Sequence, residues 1–148
     1  MGSLVLPASG TVYLDTSIII YSVEMHDVYW PSLVGLWEEA RSGRIVIVSS
    51  ELTVLETLVA PLAKKDGALI AAYERLFLAS ELRLLPITRA TLREGARLRA
   101  TLPSLRTPDA LHAASAAMAG CTMFLTNDEG FRRVSGLPCT ILRDVAGT

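Results

Sequence analysis

The sequence is poor in the features that mark several common protein classes. It has two cysteines in 148 residues, Cys121 and Cys139, with no CxxC and no Cys/His spacing, so it encodes no disulfide framework and no zinc module. Neither sign of charge is in excess: fourteen Lys plus Arg face fifteen Asp plus Glu, for a net charge of -1. That balance excludes binding nucleic acid by bulk charge and leaves room only for a local basic groove. Mean hydropathy is +0.40, yet no apolar run approaches the ~20 residues of a membrane span, because Asp15, Glu56 and Asp109 interrupt them. The first ten residues carry no basic region followed by a long apolar stretch, and position 6 is Leu6, where a myristoylation signal has Ser or Thr. The expectation is a soluble, cytoplasmic protein with no membrane partner, whose cysteines are small buried thiols.

What is present fits one domain. Hydrophobic residues make up 51% and charged residues 20%, which excludes disorder and low complexity. A chain of this length buries roughly 70% of the surface its unfolded form exposes, so it folds without a staple. No linker or repeat divides residues 1–148, and the core is expected over about 12–144. Most of the cations are Arg, the side chain suited to bidentate phosphate contacts.

Periodicity and punctuation give the order of elements. Val12–Asp15 reads as a strand ending in Asp-Thr-Ser, followed by an apolar stretch over Ile18–Val23 and a break at His26–Trp30. Pro31–Arg41 has helical spacing with Gly43 at its end, and Arg44–Val48 is a strand buried on both faces. Ser49 and Ser50 offer N-caps for a helix carrying Leu52, Leu55, Glu56 and Val59, which Pro61 ends or kinks. A helix over Asp66–Ala79 precedes a strand at Leu82–Ile87, and Thr88 caps a helix to Leu102. Thr107 as N-cap and Pro108 at the first helical position open a helix to Gly120. A strand at Thr122–Leu125, a short helix over Glu129–Val134 and a strand at Cys139–Leu142 complete the chain. Trp30, Trp37 and Tyr73 are assigned to the core. The alternation predicts a three-layer α/β/α sandwich around a mainly parallel five-stranded sheet, with its functional crevice outside the carboxyl ends of the strands.

Four acids are placed to meet in that crevice. Asp15 and Asp128 follow strands, Asp109 opens a helix whose dipole favours a carboxylate, and Glu56 sits in an apolar helical stretch where burial is costly without a partner. Convergent carboxylates need a positive charge between them, and a hard divalent ion such as Mg²⁺ or Mn²⁺ supplies it. Taken singly, Asp15 also suits a helix cap, Asp109 a helix start and Asp128 a turn with Asn127. Three other α/β sites fail on the same residues. A phosphoaspartyl hydrolase needs an acid where Ser17 stands, a von Willebrand-type metal site needs Ser where Ile19 stands, and Thr16-Ser17-Ile18 is not a dinucleotide-binding glycine turn.

Tyr-Leu-Asp-Thr-Ser at 13–17, Glu56 in Leu-Glu-Thr-Leu, Thr-Pro-Asp-Ala-Leu-His-Ala-Ala at 107–114 and Leu-Thr-Asn-Asp at 125–128, in this order, resemble a PIN domain of the VapC-type toxin ribonucleases, over about Val12 to Asp144. The resemblance implies a Mg²⁺- or Mn²⁺-dependent endoribonuclease that leaves a 3′-hydroxyl and a 5′-phosphate. It implies Asp15 and Asp109 as principal metal ligands, Glu56 and Asp128 as ligands directly or through water, and a carboxylate that helps deprotonate the nucleophile. Ser17, Thr126 and Asn127 stand where the family supports its site, although turn or cap chemistry explains them equally well. Arg106, three residues before Asp109, is the expected phosphate contact, whereas Arg89, Arg93 and Arg97 line a solvated helix face. His112 and His26 are left outside the site, which favours oxygen ligands. The family further implies a small antitoxin partner and a homodimer. Two other readings stand beside this one: a non-catalytic PIN-like module that binds RNA or protein, and a PIN nuclease of RNA maturation without a toxin role.

Overall fold

The computed structural model describes residues 4–146, so part of the amino-terminal reading lies outside the described residues. Five strands form its centre: β1 (Thr11–Leu14), β2 (Val46–Ser50), β3 (Arg83–Leu85), β4 (Met123–Thr126) and β5 (Cys139–Ile141). All neighbours pair in parallel, in the order β3-β2-β1-β4-β5. Tyr13 lies opposite Val48 on one side and Phe124 on the other, which fixes the register of the central strand. The helices are α1 (Thr16–Val23), α2 (Trp30–Ser42), α3 (Leu52–Ala63), α4 (Gly67–Ala79), α5 (Arg89–Thr101), α6 (Thr107–Met118) and the short α7 (Leu142–Val145), with a 3₁₀ turn over Glu129–Arg133. Among the described residues no helix is long and apolar enough to cross a membrane.

Strand alternation divides the interior into two cores. Val12, Leu14, Ile47 and Leu125 face α1, α2 and α4, where they meet Ile18, Ile19, Leu33, Leu36, Trp37 and Tyr73. Tyr13, Val48 and Phe124 face α5, α6 and the 3₁₀ turn, and pack with Leu98, Ala113, Ala114 and Phe131. A sheet covered on both faces accounts for the nearly continuous apolar run of β2 and gives the three layers expected from the sequence. Trp37 and Tyr73 are buried and Trp30 packs against the first core. Cys121 and Cys139 are free and half-buried at the edge of the second core, less enclosed than expected.

Local signals held where their partners are local. Thr88 and Thr91 form a reciprocal capping box at α5, Asp66 accepts from the Leu69 amide at α4, and Gly43 ends α2 with a φ of 84°. The apolar stretch at Ile18–Val23 belongs to a helix that starts two residues earlier. Three boundaries differ for tertiary reasons. Thr107 is the first residue of α6 rather than its cap: its hydroxyl accepts from the Arg99 guanidinium at 3.0 Å, and Arg106 takes the extended cap conformation. Ser49 and Ser50 belong to β2 and the residue before α3 is Glu51; the Ser50 hydroxyl still accepts from the Leu52 amide at 3.1 Å, whereas the Ser49 hydroxyl donates to the Leu14 carbonyl at 2.7 Å. Pro61 does not end α3, which runs two residues further with that ring buried.

Helix α3 is turned opposite to its apolar pattern. Thr53, Thr57 and Pro61 face inward, whereas Leu55, Val59 and Leu62 are 62%, 59% and 57% exposed. The inward polar face brings Glu56 toward the carboxyl ends of the strands. If the two cores carry the stability, Ile47→Ala should lower unfolding free energy by about 2–5 kcal/mol. Thr88→Ala should cost only about 1 kcal/mol. Urea denaturation monitored by tryptophan fluorescence measures both.

Candidate active site

The chain continues from β1 to β2 on one side and places β4 on the other, so the carboxyl ends of β1 and β4 form a topological switch point. Asp15 is the first residue beyond β1. Its amide donates to the Leu125 carbonyl at 3.0 Å, extending the ladder and holding it beside the end of β4. Its Oδ1 accepts from the Thr16 amide at 2.8 Å, capping α1, while Oδ2 accepts from the Thr126 hydroxyl at 2.6 Å. Asp15 is therefore both a helix cap and a carboxylate that lines the pocket at the strand ends. The Thr126 hydroxyl in turn accepts from the Asp128 amide at 3.0 Å, and Asp128 caps the 3₁₀ turn through the Gly130 amide.

Glu56 comes from α3 and Asp109 from the first turn of α6. The four acids line one pocket of about 510 Å³ with Ser17, Asn127 and Arg106, all of them residues selected from the sequence. Thr126 lies fully buried behind Asp15. Ser17 contributes a buried hydroxyl that has no hydrogen-bond partner. Asn127 instead braces the rim, donating to the Tyr21 hydroxyl at 3.2 Å and accepting from the Arg143 amide at 2.7 Å. Arg106 is largely exposed and pairs with Asp109 at 3.4 Å. Arg89, Arg93 and Arg97 are exposed away from the pocket, with Arg97 paired to Glu94.

Two residues outside the expected set join the acids. The Thr16 hydroxyl donates to Glu56 Oε1 at 2.8 Å. His112 is buried in the pocket wall, with Nε2 2.7 Å from Glu56 Oε1 and 3.8 Å from Asp15 Oδ1, and Nδ1 2.7 Å from the Tyr13 hydroxyl. His112 follows Asp109 by three residues on one helix, a spacing visible in the sequence. Its partners from β1 and α3 were not visible, because they are 99 and 56 residues away.

Burial raises the Asp15 carboxyl above its ordinary range, despite the opposing His112 charge and the bonds from Thr126 and Thr16. Burial also raises Asp109, where the nearby Asp128 charge adds to it and Arg106 opposes it. Glu56 goes the other way: burial pushes it up, but the bonds from His112 and Thr16 outweigh that and hold it low. The pocket thus sets five carboxylates, Glu129 included, against the guanidinium groups of Arg106 and Arg143. Among the described residues no three His, Cys, Asp or Glu side chains are gathered tightly enough to form a ready metal cage.

A PIN domain family model matches residues 12–137. This chain belongs to the PIN domain family. Its fold is shared with VapBC2 from Rickettsia felis, solved bound to a DNA fragment from its promoter. That match has a TM-score of 0.71 and 22% identity, over 88% of this chain and 98% of that chain. DNA-bound VapBC from Salmonella typhimurium aligns with a TM-score of 0.71 and 18% identity, over 89% and 98%. VapBC-5 from Mycobacterium tuberculosis, of the VapBC family of toxin–antitoxin systems, aligns at 0.56 and 24%, over 91% and 98%. No curated protein sequence matches this PIN domain.

The raised Asp109 carboxyl carries a sign for stability. The folded chain holds that proton more tightly than the unfolded chain, so this group's contribution is greatest below the ordinary carboxylate pKa and is lost as pH rises through the folded one. In EDTA, Asp109→Asn should therefore melt a few degrees above the wild type at pH 8, with the gap shrinking toward pH 4. Differential scanning calorimetry across that range checks it.

Proposed function

We propose that this PIN domain is a Mg²⁺- or Mn²⁺-dependent endoribonuclease and the toxin half of a toxin–antitoxin pair. The observation that carries the reading is the convergence of Asp15, Glu56, Asp109 and Asp128, from four separate elements, on one pocket at the switch point. The donor set fits a hard cation: all four acids offer oxygen, two are held above their ordinary range by burial, and the Ser17 hydroxyl is buried in the same wall without a partner. Asp15 and Asp109 are the principal ligands in this reading, with Glu56 and Asp128 binding directly or through water. A bound divalent ion supplies an acidified water and offsets the charge that develops on a phosphodiester.

The chain's own groups supply the rest. Arg106 swings from Asp109 to contact a phosphate of the RNA, which its exposure permits. Glu56, fixed by the bonds from His112 and Thr16, suits orienting the attacking water, and one of the four carboxylates helps deprotonate it. Asp15 and Thr126, locked between β1 and β4, keep the floor of the pocket in place. Attack on phosphorus with departure of the 3′-oxygen leaves a 3′-hydroxyl and a 5′-phosphate.

The partners follow from two observations. Solved relatives by fold include VapBC assemblies, and the outward Leu55, Val59 and Leu62 of α3 offer an apolar surface of the kind an antitoxin or a second copy covers. A cytoplasmic site of action accords with an RNA substrate. The net charge of -1 favours one alternative, a non-catalytic module that works through RNA or protein contacts, and the complete set of acids argues against it.

Cleavage of a mixed RNA pool decides between them. Mg²⁺ or Mn²⁺ should give products with 5′-phosphates, EDTA should abolish them, and Asp15→Asn or Asp109→Asn should lower the rate on the order of 10²-fold or more. Full activity in either variant would show that the site is wrongly assigned. The same RNA cut equally well, in cells, without a cognate antitoxin gene nearby would favour a nuclease of RNA maturation.

A further inference from the structure

We infer that His112, held by Tyr13, is a positioning residue that sets where the Glu56 carboxylate stands relative to Asp15 and Asp109. The inference rests on the proposed metal site and concerns a residue that contributes no ligand to it. His112 is 1% exposed, and its ring is bonded at both nitrogens. Nδ1 lies 2.7 Å from the Tyr13 hydroxyl and Nε2 2.7 Å from Glu56 Oε1. The result is a hydrogen-bonded chain that runs from Tyr13 through His112 to Glu56.

The chain joins three elements that each supply an acid. Tyr13 stands on β1 two residues before Asp15, Glu56 projects from α3, and His112 lies one turn after Asp109 on α6. Both donors to Glu56, Nε2 and the Thr16 hydroxyl, fall on Oε1. That arrangement pins one oxygen and leaves Oε2 as the oxygen available to the pocket. The Tyr13 ring cannot drift, because it stacks on Phe124 with ring centres 5.0 Å apart and planes 7° from parallel. Burial alone calls for partners at both ring nitrogens, but here one of those partners is a carboxylate of the pocket and the other stands on β1. Here two close contacts fix one rotation of the ring, and the carboxylate follows it.

Mn²⁺ binding to the purified full chain, followed by loss of the free-ion electron paramagnetic resonance signal, tests this without RNA. Glu56→Gln serves as the reference variant, and circular dichroism confirms that each variant is folded. His112→Ala should weaken Mn²⁺ binding by roughly 10- to 100-fold, and His112→Gln, which keeps a donor near Nε2, should recover most of it. Tyr13→Phe, which preserves the stacked ring and removes only the hydroxyl, should weaken binding several-fold. Each loss should largely vanish in the Glu56→Gln background, because the residues act through that carboxylate. A packing role would instead give losses that persist there. Wild-type binding unchanged in Tyr13→Phe and His112→Ala would overturn this inference and leave the metal site standing. No Mn²⁺ binding by the wild type would overturn the metal reading and this inference together.

Discussion

The structure depends on keeping a carboxylate inside the protein at the end of its central strand. Asp15 is 8% exposed, and an isolated buried charge is too costly to keep unless donors and opposite charge surround it. The fold supplies both. Parallel pairing brings Thr126 against one oxygen, the first turn of α1 places an amide against the other, and the helix dipole adds a favourable field. Because β1 is the central strand, with β2 on one side and β4 on the other, its carboxyl end also meets Glu56 of α3 and Asp109 of α6 in one pocket.

This constraint orders the packing around it. The inward face of α3 is polar because it meets the strand ends rather than an apolar layer: Thr53 shares a hydrogen bond with Ser49 at 2.7 Å, and Glu56 meets Thr16 and His112. Its apolar residues then turn to solvent, which is why this helix shows an exposed hydrophobic stripe. Tyr13 bridges the two environments. Its ring belongs to the second core, with Phe124 and Phe131, while its hydroxyl reaches the polar cluster through His112. The floor of the pocket is thereby tied to packed aromatic rings, and this gives a rigid arrangement to a set of mutually repelling acids.

Much of this was legible in the sequence, and what escaped has a common cause. The strands, the α/β alternation, Asp15, Asp109 and Asp128 could all be read, because strand ends and helix starts are marked within a few residues. Glu56 stood out as an acid among Leu and Val, although the reason for its burial was different: Leu55 and Val59 beside it face outward, and it is polar partners that meet it inside. His112 was set aside because the expected chemistry favours oxygen ligands, and its hydrogen bonds to Tyr13 and Glu56 cross 99 and 56 residues of chain. Thr107 and Ser49 read as helix caps because their hydroxyls suit that task, yet Arg99 and the Leu14 carbonyl claim them from distant elements.

The sequence by itself determined the layered α/β class, the approximate limits of the elements and which acids lie at strand and helix ends, since these follow from periodicity and from residues that act on their own backbone. Only the tertiary structure decided which face of α3 turns inward, which hydroxyls cap helices and which are taken by other strands, and how His112 couples Tyr13 to Glu56. Those outcomes depend on hydrogen bonds and burial between segments far apart in the chain. Such contacts exist only once the parallel sheet has brought β1, α3, α6 and β4 to one edge.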